Sequence, residues 1–198
     1  MKVAVLIFGE YRTFDTAVKT WNCKFWDDVD FYMSTWNTSV ECSHCSTTHL
    51  DTPIIETEIN STIDTLPNLN LKISKQDSLD IQNATHKMIY HWKILYNMVI
   101  DSGNEYDCIF LVRPDTYFFI QPSFFENAKK DILYSANEVN DEAHDIFFFG
   151  YGNLVLDFLK NVPSKMNNIH TELATYLKDN FKNDFLKSND GYFYGLLR

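Results

Sequence analysis

The stretch Tyr106–Phe119, YDCIFLVRPDTYFF, decides how the rest of this chain is read. Cys108-Ile109-Phe110-Leu111-Val112 is a short, unbroken apolar run, bounded upstream by Ser102-Gly103-Asn104 and downstream by Arg113-Pro114-Asp115. A run of that length between polar flanks predicts a strand buried on both faces of a sheet. A carboxylate just past the C-terminal end of such a strand stands where open α/β sheets bind ligands. Arg113 beside it adds the opposite charge, so Asp115 and Arg113 are candidates to hold a metal and a phosphate. Tyr117, Phe118 and Phe119 follow.

Outward from this stretch, apolar runs and helical stripes alternate. Lys2–Phe8 predicts the first strand. It ends in Gly9-Glu10-Tyr11-Arg12-Thr13, and Phe14, Ala17, Val18, Trp21 and Phe25 then follow helical spacing. Strand, glycine turn and helix form the unit that brings amide groups to an anion. No G-x-G-x-x-G or P-loop accompanies it. Arg12 either contacts a diphosphate or base, or is a surface residue paired with Glu10 or Asp15. Val29–Thr35 predicts a second strand, and Leu69–Ile73 and Ile54–Ile59 two shorter ones. A long helix is expected from a cap at Asp77 or Ser78 to Gly103, with Ile81, Ala84, Met88, Trp92, Leu95 and Val99 as its apolar stripe. Its His86 and His91 fall on other faces and read as surface residues. A short helix from Pro122 and a strand over Ile132–Ala136 come next. A loop over Asn137–Ala143 and a buried strand over Asp145–Gly150 follow, then helices over Asn153–Val162 and from His170. Tyr192-Phe193-Tyr194 reads as a last strand or a flap.

This alternation predicts a single α/β domain over residues 1–198, three layers with a mostly parallel sheet. The length suits one domain with a substantial core. A net charge of −10 argues against nucleic acid or an anionic membrane as the main partner. No apolar run is long enough to span a bilayer, and Met1–Phe8 lacks the features of a signal peptide, so a soluble, cytoplasmic protein is expected. Three Asn-x-Ser/Thr sequons, at Asn37, Asn60 and Asn83, are read as chance in an Asn- and Thr-rich chain.

Cys42-Ser43-His44-Cys45, with His49 behind it, has the look of a zinc knuckle. A structural zinc needs four ligands; Cys23 and Cys108 are poorly placed to complete the set, and His44 and His49 would complete it locally, as a zinc-dependent interaction module, only with awkward crowding. The segment is therefore read as a loop with two free or disulfide-bonded cysteines. No G-x-S-x-G elbow or H-E-x-x-H motif points to a hydrolase or metalloprotease. The polar residues that remain are Asp115 with Arg113, Asp145 at a strand start, and His170 with Glu172 at a helix start. Carboxylates at strand ends suit metal-assisted transfer from a phosphate-linked donor, because a hard divalent cation takes one or two carboxylates and completes its shell with substrate phosphates and water.

KVAVLIFGEYRTF, DFYMSTWN, YDCIFLVRPDTYFF and DIFFFG together resemble small GT-A-type glycosyltransferase-like proteins of phages, large DNA viruses and bacterial polysaccharide loci. The resemblance covers most of Met1–Asn37 and His86–Glu172. It implies a Rossmann-like GT-A fold and a nucleotide-sugar donor, UDP-linked rather than GDP-linked, with Mn or Mg as cofactor. A hexose would pass to a hydroxyl of a glycan or small acceptor, in the host cytoplasm where the chain is viral. GT-A enzymes carry a D-x-D at the end of a central strand; here Arg113-Pro114-Asp115 stands in that place. Asp115 then corresponds to the metal-ligating last Asp, and Arg113 replaces the first. The resemblance also implies that Gly9, Tyr11 and Arg12 line the nucleotide pocket and that Asp145 faces the sugar or acceptor. His170 is implied as a late metal or phosphate ligand, and Glu172 as an acceptor-side group. Asp145, then Glu172, is the candidate base for an inverting transfer. The alternative on the same fold is a non-catalytic nucleotide- or sugar-binding protein.

Overall fold

The structure is a computed structural model that describes residues 1–11, 14–21, 28–40, 51–53, 66, 68–75, 83–120, 128–139, 142–185 and 192–196. For residues 28, 38–40, 51–53, 118–120, 136–139, 142–145, 185 and 192–196 it describes the backbone alone. The strands are β1 (Lys2–Phe8), β2 (Asp28–Trp36), β3 (Thr38–Val40), β4 (Asp51–Pro53), β5 (Leu69–Ser74), β6 (Cys108–Val112), β7 (Thr116–Ile120), β8 (Leu133–Val139), β9 (Glu142–Tyr151), β10 (Asn183–Phe185) and β11 (Tyr192–Leu196). The helices are α1 (Phe14–Ala17, continued by a 3-10 turn over Val18–Thr20), α2 (Ala84–Ser102), α3 (Gly152–Asn161) and α4 (Ile169–Asn180).

Seven strands form the central sheet in the order β10-β8-β9-β6-β1-β2-β5. β1 pairs in parallel with β2 and β6, β2 with β5, and β10 with β8. Only β9 runs against its neighbours, β6 and β8. Every residue of β6 is buried, as its unbroken apolar run requires. Along β1 the period-2 alternation divides the core. Val3, Val5 and Ile7 pack on the face carrying Tyr11, Phe14 and Trp21. Ala4, Leu6 and Phe8 pack on the face covered by α2, α3 and α4. A mostly parallel sheet between two helical layers matches the expected three-layer α/β class.

Several elements differ from the sequence-based expectation. Helical geometry breaks at Trp21, whose φ and ψ are −73° and 119°, and the expected continuation to Phe25 lies outside the described residues. The Trp21 indole Nε1–H donates to the Thr116 carbonyl at 2.7 Å, so a tertiary bond overrides local periodicity. Asn83 caps α2: its Oδ1 accepts from the Thr85 and His86 amides at 2.8 and 3.4 Å, and the expected caps Asp77 and Ser78 lie outside the described residues. His91, expected on the surface, is wholly buried between α2 and the sheet. Its Nδ1 lies 2.7 Å from Ser34 Oγ, and its ring meets Trp36 edge-on. The buried arc of α2 is wider than the stripe, because the helix packs against α3 as well as the sheet. The loop expected over Asn137–Ala143 is the far end of the β8–β9 hairpin, where Val139 pairs with Glu142. Backbone bonds carry that pairing, so no apolar signal marks it. Tyr192–Tyr194 belongs to β11, which pairs antiparallel with β7. The strand expected over Ile54–Ile59, the helix from Pro122 and the Cys42–His49 segment lie outside the described residues. Among the described residues, no helix is long and apolar enough to cross a membrane.

Candidate active site

The strand order reverses between β1 and β6. From β1 the chain builds the sheet outward through β2 and β5; beyond β6 the sheet extends the other way, in spatial order β9, β8 and β10. That reversal opens a crevice at the C-terminal edge, where ligands of open α/β sheets bind. Two turns border it. One follows β1 at Gly9, whose φ of +112° no residue with a Cβ adopts without strain. The Gly9 amide donates to the Ser34 carbonyl at 3.1 Å, which ties this turn to the end of β2. The other follows β6 as Arg113-Pro114-Asp115. A Cβ built on Gly9 would stand 3.9 Å from Pro114 Cδ, so the two turns are neighbours across the crevice.

The second turn is fixed at both ends. The Arg113 amide donates to the Ile146 carbonyl at 3.2 Å, and the Thr116 amide donates back to the Arg113 carbonyl at 3.1 Å. Trp21 holds Thr116 from the opposite layer, as above. Within the turn, Arg113 Nε and Nη2 donate to Asp115 Oδ1 and Oδ2 at 3.0 and 2.8 Å. This is a two-bond fork, the strongest common geometry for a guanidinium and a carboxylate. The partners differ in depth: the Asp115 side chain is 6% exposed and that of Arg113 22%. The carboxylate is the more deeply buried of the two.

The other candidates take distinct places. The Tyr11 ring is 8% exposed and packs edge-on against Phe14 at 5.5 Å between centroids. Arg12 lies outside the described residues. The backbone of Asp145 precedes Ile146, whose carbonyl accepts from Arg113, so Asp145 belongs to the same edge of the sheet. His170 and Glu172 lie on the first turn of α4. That helix leads to β10, which pairs in parallel with the start of β8, so its first turn points toward the C-terminal edge, on the face opposite α1. Asn168 Oδ1 accepts from the His170 amide at 3.0 Å. Glu172 Oε1 accepts from the amides of Asn167 and Asn168 at 3.1 and 3.3 Å, which closes the helix cap. The sequence reading passed over Trp21 as a brace, since nothing in the sequence relates it to Thr116. It also passed over the Thr35 and Thr116 hydroxyls, which are buried and find no hydrogen-bond partner among the described residues.

The divalent cation implied by the resemblance can be tested against these donors. Asp115 is the carboxylate at the turn, and both its oxygens face one guanidinium. Among the described residues, no group of three or more His, Cys, Asp or Glu side chains converges as a metal site. A buried carboxylate with both oxygens bonded to a guanidinium does not fit a hard dication.

No protein-family model matches the sequence, and no curated protein matches it. Solved structures do match. An active-site mutant of LgtC superposes with a TM-score of 0.54 at 8% identity, over 93% of this chain and 73% of that one. A putative glucose-1-phosphate thymidylyltransferase from Bacillus anthracis gives 0.52 at 11%, over 98% and 89%. The glycosyltransferase GlyE of Streptococcus pneumoniae gives 0.50 at 12%, over 94% of this chain and 45% of that one, so the chain spans less than half of GlyE. At such identities the likeness concerns architecture, and the architecture is the three-layer, Rossmann-like α/β fold of GT-A glycosyltransferases.

Proposed function

We infer that this chain is a glycosyltransferase that moves a hexose from a nucleoside-diphosphate sugar, UDP-linked before GDP-linked, to a hydroxyl of a glycan or small acceptor. The observation that carries this reading is the pair of turns at the switch point, Gly9 and Arg113-Pro114-Asp115, on a fold shared with glycosyltransferases. In the reaction the bond from the sugar C1 to the diphosphate oxygen breaks, and a bond from C1 to the acceptor oxygen forms. The nucleoside diphosphate leaves with the electron pair, and the acceptor proton passes to a base. Asp145 is our choice of base for an inverting transfer. Glu172 is less suited, because one of its oxygens already receives two amides. Gly9 and Tyr11 border the nucleotide, with Arg12 as a further contact, and His170 stands in reserve as a phosphate ligand.

The test is a panel of UDP- and GDP-hexoses with mixed glycan acceptors, read by release of nucleoside diphosphate. Release with at least one donor is expected, together with a fall of about 100-fold or more in Asp145→Asn. Failure of every donor and of free UDP and GDP to bind, measured by calorimetry, would refute the reading. The likeness to the thymidylyltransferase, which covers nearly all of both chains, favours a second reading: nucleotidyl transfer to a sugar phosphate. Release of pyrophosphate from a nucleoside triphosphate would identify that one.

A further inference from the structure

We propose that His91 is a positioning residue for nucleotide binding: through Ser34 it fixes the Gly9 turn in the geometry that receives the nucleoside diphosphate. The proposal rests on the reading of the chain as a nucleotide-sugar enzyme and names what holds one wall of its site in place.

Gly9 sits at a φ of +112°, and a glycine has the widest backbone freedom of any residue, so its surroundings must impose that conformation. Three consecutive residues of α2, Tyr90-His91-Trp92, hold the chain around it. The Trp92 ring meets that of Phe8, the residue before Gly9, edge-on at 5.5 Å between centroids. The Gly9 amide donates to the Ser34 carbonyl at 3.1 Å, and the Ser34 hydroxyl in turn pairs with His91 Nδ1 at 2.7 Å. Tyr90 stacks on Trp36, two residues further along β2, at 5.3 Å between centroids and 7° between planes. The His91 ring meets the same indole edge-on at 4.3 Å. His91 thus grips the residue that accepts the Gly9 amide, and the indole beyond it. His91 and Ser34 are both wholly enclosed, so they act on a ligand only through the turn they hold.

The cost of this pair points the same way. His91 Nε2 is buried and finds no hydrogen-bond partner among the described residues. A buried ring nitrogen left unpaired is unfavourable, and two apolar side chains at positions 34 and 91 would fill the core without it. Packing alone therefore gives no reason for a histidine at this place, whereas the bond to Ser34 does.

UDP and GDP in excess Mn are the probes, and calorimetry with the whole chain at pH 8 gives the affinities. Ser34→Ala and His91→Leu should each weaken binding by about three- to tenfold, the range for one neutral hydrogen bond. The double variant should bind no more weakly than the weaker single, since the bond can be lost only once. Its melting temperature should nonetheless stay close to the native value, because both partners of the bond have become apolar. His91→Asn, whose side-chain amide reaches the place of Nδ1, should restore binding to near the native affinity. Lys93→Met, on the same helix but bonded to the end of α3, should lose stability without losing affinity. Should His91→Leu not fold, Ser34→Ala alone decides, and unchanged affinity in it overturns the proposal. Folded single variants that bind as the native chain does, or penalties that add in the double variant, overturn the proposal while leaving the glycosyltransferase reading intact. Absence of UDP and GDP binding in the native chain overturns both.

Discussion

Acid should destabilise this fold through one buried side chain. His91 is wholly enclosed, and burial lowers its pKa from 6.5 to about 3. In the unfolded chain the imidazole recovers its ordinary value near 6.5. Between those limits the unfolded state binds a proton that the folded state refuses, so stability rises with pH and falls as pH drops. The depressed folded pKa places the loss on the acid side: the contribution is complete above about pH 7 and shrinks as pH falls toward 3. At pH 5 the penalty is RT times the logarithm of one plus 10 to the 1.5, about 2 kcal/mol. That is a large share of the total for a domain whose stability is on the order of 5–15 kcal/mol. The assay is urea unfolding at pH 8, 7, 6 and 5, on the native chain and on His91→Gln. Carboxylates also titrate near the acid end, but both proteins carry them, so the difference between the two curves isolates His91. The native chain should lose about 2 kcal/mol more than the variant between pH 8 and pH 5. Parallel curves would show that His91 takes up its proton without unfolding and would refute the reasoning.

Two other expectations concern the scaffold behind the site. Lys93 Nζ on α2 donates to the carbonyls of Leu159, Lys160 and Val162 at 2.8, 2.9 and 2.9 Å, satisfying the open end of α3, and its partial burial lowers its pKa. Lys93→Met should cost about 1.5–3 kcal/mol in denaturant unfolding, and a smaller loss would mean that solvent serves those carbonyls equally well. Gly152 begins α3 against the chain at Tyr106, and a Cβ there would stand 2.1 Å from the Tyr106 carbonyl oxygen. Gly152→Ala should therefore cost about 3 kcal/mol or more, since backbone must move to admit it. A near-native melting temperature by circular dichroism would contradict that.

Legibility followed burial. β6 and β1 could be placed because five or more consecutive apolar residues between polar flanks have few other uses. Their parallel pairing could be anticipated because long, helix-bearing connections join the strands. The β8–β9 hairpin end could not, since its mostly polar residues carry no alternation of apolar positions to mark a strand. Nor could the buried place of His91. Its sequence neighbours Tyr90 and Trp92 are compatible with either face of a helix, and only the approach of Ser34 and Trp36 on β2 shows which face is enclosed. Pairing of β11 with β7 was open for another reason. A short aromatic segment serves as readily for a flap as for a strand, and its partner stands more than seventy residues away.

The site was legible as a place before it was legible as chemistry. An Arg and an Asp two residues apart at a strand end are consistent with two arrangements. In one, the carboxylate points out to take a metal and the arginine reaches a phosphate. In the other, the two neutralise each other. Their spacing permits both, and neither composition nor periodicity separates them. The structure joins them by two bonds, with Asp115 the more deeply buried partner. Pro114 contributes by restricting the turn's backbone, and it is buried against the Gly9 turn. The arrangement is therefore the second of the two. The guanidinium and the carboxylate are joined in a two-bond ion pair at the turn itself. A position that resembles a metal ligand in the sequence is, in the structure, the ion-pair partner of the arginine two residues before it. In urea unfolding Asp115→Asn should therefore cost more stability in the native background than in Arg113→Gln, since the pair can be lost only once.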